Sequence, residues 1–139
     1  MKNIYKIFTA GTVVTLLLFN SCVPEDVIVE DLSIKLTSGS WTFNSVDAGS
    51  DFLNAGYEIA YGNNVINFNS DGSLTDTLLK VEGTGTWFLN GNQDNLTLNI
   101  TYVDDDTRNE TWRIVSITDT ELVYEFDISP NTLRMRYVH

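Results

Sequence analysis

The stretch NLTLNITYV, residues 95 to 103, sets Leu96, Leu98, Ile100 and Tyr102 on one side of an extended chain and Thr97, Asn99 and Thr101 on the other. Successive side chains of a strand point to opposite faces, so this period of two predicts a strand with one buried and one wetted face. The same period recurs on both sides. Upstream, GSWTFNS (39–45) alternates Trp41 and Phe43 with Thr42 and Asn44, and VINFNS (65–70) puts Ile66 and Phe68 on one face. SLTDTLLKV (73–81) and GTGTWFLN (83–90) follow, with Gly83 and Gly85 predicting a bend or bulge. Downstream come TWRIVSI (111–117), LVYEFDI (122–128) with Leu122, Tyr124, Phe126 and Ile128 aligned, and LRMRYV (133–138) with Leu133, Met135 and Tyr137 opposite Arg134 and Arg136.

Turn chemistry separates these segments. DG at 71–72, NGN at 90–92, TDTE at 118–121 and SPN at 129–131 are tight-turn sequences, and DDDTRNE (104–110) reads as a polar loop. About eight strands therefore follow one another, with no helical spacer long enough for a parallel crossover. The exception is SDFLNAGYEIA (50–60), either a short helix capped by Ser50 or Asp51 or an irregular strand. Sequential antiparallel strands avoid exposed edges by closing on themselves, so the expected fold is all-β, an antiparallel up-and-down barrel spanning residues 37–139. A β-sandwich is the competitor, but it needs longer connections between sheets.

The N-terminus differs in kind. Lys2 and Lys6 precede the apolar run IFTAGTVVTLLLF (7–19), a secretory-signal arrangement too short for a membrane span, which takes roughly 20 apolar residues. Cys22, the only cysteine, closes that run after Ser21. LLLFNSC (16–22) resembles the lipobox of bacterial lipoproteins, which implies that residues 1–21 are a leader, that Cys22 carries covalent lipid, and that residues 22–36 are a tether. Two or more acyl chains hold a protein to a bilayer without help from its surface. The acidic stretch VPEDVIVED (23–31) resembles the surface-export signal of Bacteroidetes lipoproteins. The implied place is the outer membrane, on its periplasmic face or at the cell surface.

Removal of residues 1–21 leaves 118 of the 139 residues, enough for one domain, and takes two lysines and no acid. Six basic and nineteen acidic residues then remain, a net charge of −13, which disfavours nucleic acid and anionic headgroups as partners. With its one cysteine acylated the domain has no internal disulfide, so stability must come from a hydrophobic core.

Several motifs in order resemble the lipocalin-like domains of Bacteroidetes lipoproteins: GSW (39–41), NFNSDGS (67–73) followed by GTGTW (83–87), and WRIVSITDTELVYEF (112–126). The resemblance spans about residues 37–139. It implies an eight-stranded barrel in which Arg134 or Arg136 packs across Trp41 and plugs the barrel floor. A stacked guanidinium there would gain about 0.5–2 kcal/mol. The alternative is two solvated arginines on an outer strand face.

Catalytic constellations are not found. The only histidine is His139, so no Ser-His-Asp triad, Cys-His dyad or zinc site can be assembled, and there is no phosphate-binding glycine loop. Asp104, Asp105 and Asp106 suit calcium chemically, but three consecutive residues converge poorly on one ion. The acids read as solubilising loop and outer-face residues. The expectation is a non-catalytic protein without cofactor or metal. One possible function is binding of a small hydrophobic ligand in the barrel mouth, lined by Phe43, Phe68, Trp87, Leu98, Ile100, Trp112, Tyr124, Phe126 and Met135. The other is a structural or protein-interaction lipoprotein with those same residues as a filled core, recognising a partner through loops 47–63 and 103–109.

Overall fold

The computed structural model describes residues 30–139; the leader, Cys22 and most of the expected tether lie outside the described residues. Ten elements follow in order: α1 (Leu32–Leu36), β1 (Ser40–Asp47), α2 (Asp51–Tyr61), β2 (Val65–Phe68), β3 (Ser73–Leu78), β4 (Val81–Leu89), β5 (Asn95–Tyr102), β6 (Thr107–Ile117), β7 (Glu121–Ile128) and β8 (Asn131–Val138). Each strand pairs antiparallel with the next, and β1 pairs with β8 through Thr42↔Val138 and Phe43↔Tyr137, so the sheet closes into an eight-stranded up-and-down barrel. Closure removes both free edges.

The alternating pattern became the inside and outside of that barrel. In β5, Leu96, Leu98, Ile100 and Tyr102 are buried, as the period of two predicts. Two one-residue irregularities break the parity elsewhere. A register shift between Phe43 and Ser45 brings Val46 inward, and one between Ile114 and Ser116 brings Ile117 inward. An extra residue in a strand exchanges the faces beyond it. No such shift occurs at Gly83 or Gly85, where a bend or bulge was expected; these glycines keep regular register with both neighbours. They are required by close approach instead. A Cβ on Gly83 would meet the Tyr102 ring at 2.7 Å.

The turns follow their chemistry with two differences: Leu79 and Lys80, within a segment expected to be strand, make the β3–β4 turn with φ 52° and 67°, and the β4–β5 turn places its left-handed residue differently. Gly72 takes φ +84° in the β2–β3 turn, as the DG pair predicts. In the β4–β5 turn the left-handed residue is Gln93 rather than Gly91, held between Asn90 and Asp94 by Gln93 N donating to Asn90 O at 2.9 Å.

The two helices cap opposite ends. The helical reading of 50–60 holds, as Asp51–Tyr61, with Ser50 as the N-cap accepting from Leu53 N at 3.3 Å. This helix, α2, covers the end where β1 stops and β2 starts, termed here the open end. At the other end α1 lies within the segment expected to be tether, yet Leu36 is fully buried in the core. Leu32 N donates to Gln93 Oε1 at 2.7 Å, which ties α1 to the β4–β5 turn.

The expected arginine plug is not formed. Arg134 and Arg136 point outward, where Arg134 bonds Glu125 (Nε to Oε1, 2.7 Å) and Arg136 pairs with Glu121 at 3.2 Å. Trp41 is wholly buried, its Nε1 donates to Leu36 O at 2.9 Å, and the His139 ring stands edge-on to it at 4.2 Å. His139 also lies 3.0 Å from Ser38 Oγ. The floor is thus closed by α1 and His139, because strand parity sends residues 134 and 136 to water and leaves the position after β8 beside the indole. Arg134→Ala and Arg136→Ala are each expected to change stability by no more than about 1 kcal/mol, the range of exposed ion pairs. Urea melts check this, and a larger loss would give the arginines a structural part.

Candidate functional site

Seven of the nine residues expected to line a ligand site are buried core: Phe43, Phe68, Leu98, Ile100, Trp112, Tyr124 and Met135. Trp87 and Phe126 are partly buried and pack against that core from its ends. These side chains fill space against each other. Trp112 and Tyr124 stack with centroids 3.5 Å apart, Tyr124 lies 5.8 Å from Tyr137, and Tyr137 meets Phe43 edge-on at 5.9 Å. The Tyr124 hydroxyl donates to Met135 Sδ at 3.0 Å. Trp87 instead packs on Phe68 at 5.7 Å and donates from Nε1 to Asn69 O at 2.9 Å near the α1 end.

A chain of polar groups crosses the interior beneath α2, and sequence reasoning missed it. Asn64 is fully buried and uses its whole amide. Its Nδ2 donates to Asp76 Oδ1 at 2.7 Å and Thr77 O at 2.8 Å, and its Oδ1 accepts from the Tyr137 hydroxyl. Asp76, 1% exposed, also accepts from the Tyr102 hydroxyl and lies 3.4 Å from Arg108 Nη1. Arg108 Nε lies 3.5 Å from Glu110 Oε1, and Glu110 Oε2 accepts from Trp112 Nε1 at 2.7 Å. None of the three Arg108 nitrogens makes a hydrogen bond, so the guanidinium is held by charge rather than by directed bonds.

The expectation that the acids sit in loops and on outer faces therefore fails for Asp76 and Glu110. Strand β6 begins at Thr107, earlier than expected, which turns Arg108 and Glu110 from loop residues into inward ones. The signal was present: 108, 110 and 112 share the parity of Trp112, as 74, 76 and 78 share that of Leu74.

Burial sets the protonation of these groups. Burial alone would lower the Arg108 pKa, but the carboxylates of Glu110 and Asp76 outweigh it and hold the guanidinium above its usual range. The Tyr61 ring, 5.8 Å from the Arg108 guanidinium carbon, has its hydroxyl pushed up to about 12, first by burial and then by Glu110. Tyr102 is raised by burial and by its bond to Asp76, and burial raises Tyr124 and Tyr137.

A tyrosine in the unfolded chain ionises near 10. Between that value and about 12 the unfolded state binds fewer protons than the folded one, so stability falls as pH rises. Below pH 10 these groups add no pH dependence. The melting temperature is expected to drop steeply above pH 10, with the tyrosinate absorbance of these four residues appearing together with loss of the folded spectrum. Ionisation of Tyr61, Tyr102, Tyr124 and Tyr137 near pH 10 in a chain that stays folded would contradict this.

Two concavities lie at the open end of the barrel. A shallow apolar groove of about 500 Å³ runs along α2, lined by Phe52, Leu53, Gly56, Tyr57, Ile59 and Tyr61 among others. Helix α2 is apolar on two faces. Leu53, Tyr57, Ala60 and Tyr61 turn to the barrel, while Phe52 and Ile59 are 87% and 80% exposed. A second concavity of about 290 Å³ lies between the β3–β4 hairpin and residues 104–108, with Tyr102 and Arg108 at its floor. Asp104, Asp105 and Asp106 rim this end, and among the described residues no group of acids, histidines or cysteines is arranged to hold a metal ion.

No family model matches this sequence, and no curated protein matches it. Among solved structures the chain is similar to the crystal structure of a DUF4847 family protein from Bacteroides vulgatus, with a TM-score of 0.53 and 12% identity, covering 78% of this chain and 97% of that one. At this identity the likeness shows a shared fold and nothing of function.

Proposed function

We propose that this is a lipid-anchored, non-catalytic protein of the lipocalin-like kind, held to the outer membrane through Cys22, whose barrel is a filled scaffold and whose open end recognises a protein partner. The observation that carries the reading is the contrast between interior and lid. The nominated pocket residues are packed on one another, whereas α2 presents Phe52 and Ile59 to water. A chain that only needed to cover its barrel would place polar residues at those two positions. The inward carboxylates are occupied, Asp76 by Asn64, Tyr102 and Arg108, and Glu110 by Trp112 and Arg108, which supports a structural rather than a catalytic part for them.

A second reading, a small hydrophobic ligand at the mouth, rests on the apolar groove along α2, whose volume falls within the range of small-molecule sites. Native mass spectrometry of the chain extracted from its own membrane separates the two. A retained small molecule would favour the ligand, and a stoichiometric protein partner favours recognition. Incorporation of labelled palmitate, abolished by Cys22→Ala, is the expected result for the anchor; unlabelled protein would remove it.

A further inference from the structure

The outer face of α2 repeats an apolar side chain at one helical spacing, Phe52 and Ile59, with Ala55 and Gly56 between them. Nothing lies within 4 Å of where a Gly56 Cβ would stand, so the floor between the two large side chains is open to an approaching backbone. Isolated exposed hydrophobics are ordinary on a protein surface, but two on one helical stripe around a small-residue floor match the seat of a helix-in-groove contact. Charge then selects the occupant. The four connections of the open end carry five acids, Asp51, Glu58, Asp104, Asp105 and Asp106, against one base, Lys80. A second copy would bring the same five acids to the contact. The chain's own segment 22–31 carries Glu25, Asp26, Glu30 and Asp31 and no base, and an anionic bilayer is also of like sign.

We propose that the outer face of α2 docks a basic amphipathic helix of a partner protein, with Phe52 and Ile59 as apolar anchors and the acids of the open end, Asp51 and Glu58 on α2 itself among them, as the charge filter. The proposal rests on the open end being the recognition end. Apolar anchors supply most of the affinity of such a contact, and the charges supply selection and salt dependence.

The test uses the full chain as produced and three labelled helical peptides with one identical leucine face and polar faces of Lys, Gln or Glu. The Lys peptide is expected to bind at least about tenfold more tightly than the other two, and to weaken as salt shortens the screening length. Phe52→Ser with Ile59→Ser is expected to weaken it by about tenfold or more while leaving the melting curve in place. Equal binding of all three peptides, or an unchanged affinity in the double variant, overturns the proposal. So does wild-type self-association that the double variant abolishes, which would make the occupant a second copy. A photocrosslinker at position 52 in producing cells separates the two levels. An adduct with a partner, without affinity for the Lys peptide, overturns the basic helix alone. Neither adduct nor peptide binding overturns recognition at this end as well.

Discussion

Asp76→Ala is expected to cost about 3–5 kcal/mol of folding stability, the range measured when one partner of a buried ion pair is removed. The carboxylate is the node of the interior polar chain. It accepts from Asn64 and Tyr102 and stands 3.4 Å from an Arg108 guanidinium whose nitrogens make no hydrogen bond of their own. Without it Arg108 would keep its charge in a barrel interior with Glu110 as its remaining nearby anion, and the Asn64 and Tyr102 donors would lose their acceptor. A buried charge stripped of one of its two anions, with two unmet donors beside it, is among the few causes of large single-site losses. For a domain whose whole stability is of order 5–15 kcal/mol, such a loss leaves little margin.

A double-mutant cycle gives the figure its meaning. Asp76→Leu with Arg108→Met replaces the pair by apolar groups and is expected to recover part of the loss, because it removes the unpaired guanidinium while Glu110 keeps only its bond from Trp112. Urea unfolding of the two single variants and the double variant measures it. Should Asp76→Ala unfold within about 1 kcal/mol of the parent, water must reach Arg108, and the cluster is not a sealed interior network.

Gly85→Ala is the second large effect. A Cβ on Gly85 would collide with the backbone oxygen of Asn99 and sit 2.9 Å from Cα of Ile100. Neither atom belongs to a side chain that can swing away. Relief requires β4 and β5 to part at the Gly85↔Ile100 pair, which opens the barrel wall between two of its most regular strands. Overpacking against flexible neighbours costs about 1–3 kcal/mol; here the obstacle is backbone, and the expected loss is about 3 kcal/mol or more, or failure to fold. Gly91→Ala is the control: nothing stands within 4 Å of its Cβ, so the expected change is within about 0.5 kcal/mol. Thermal melts of the two variants read the difference, and equal stability would mean that the strands tolerate the methyl group by a small shift.

The same two sites show how much was legible in the sequence. Gly85 stood out in GTGTW as a position where the strand must be unusual, but whether a glycine serves a bulge or a close neighbour depends on the strand laid beside it, and β5 supplies that neighbour. Asp76 in SLTDTLLKV shares its parity with Leu74 and Leu78, which points it inward. It reads as solvated because a carboxylate in a core is tolerable only with partners, and those partners come from β5 and β6 and from the β1–β2 connection. Arg108 was hidden for a related reason. Three aspartates before it suggest a longer loop than the short turn that forms, and the length of β6 is set by its pairing with β5 through Thr101↔Thr107. The arginine plug expected at Trp41 failed on parity alone.

The sequence by itself determined the alternation that makes eight strands, the turns between them except that at Leu79–Lys80, the apolar inventory of the core, and the two readings of residues 50–60 from which the helix emerged. These are properties of neighbouring residues, and the physics behind them is local: two faces per strand, and φ preferences at turns. Only the tertiary structure decided that β1 meets β8, that one extra residue in β1 and another in β6 reverse the faces beyond them, that His139 rather than an arginine covers Trp41, and that Asp76, Arg108 and Glu110 share one interior. Those facts depend on which strands lie beside or across from each other once the sheet has closed, and a charge or a glycine has no fixed meaning until that neighbour is in place.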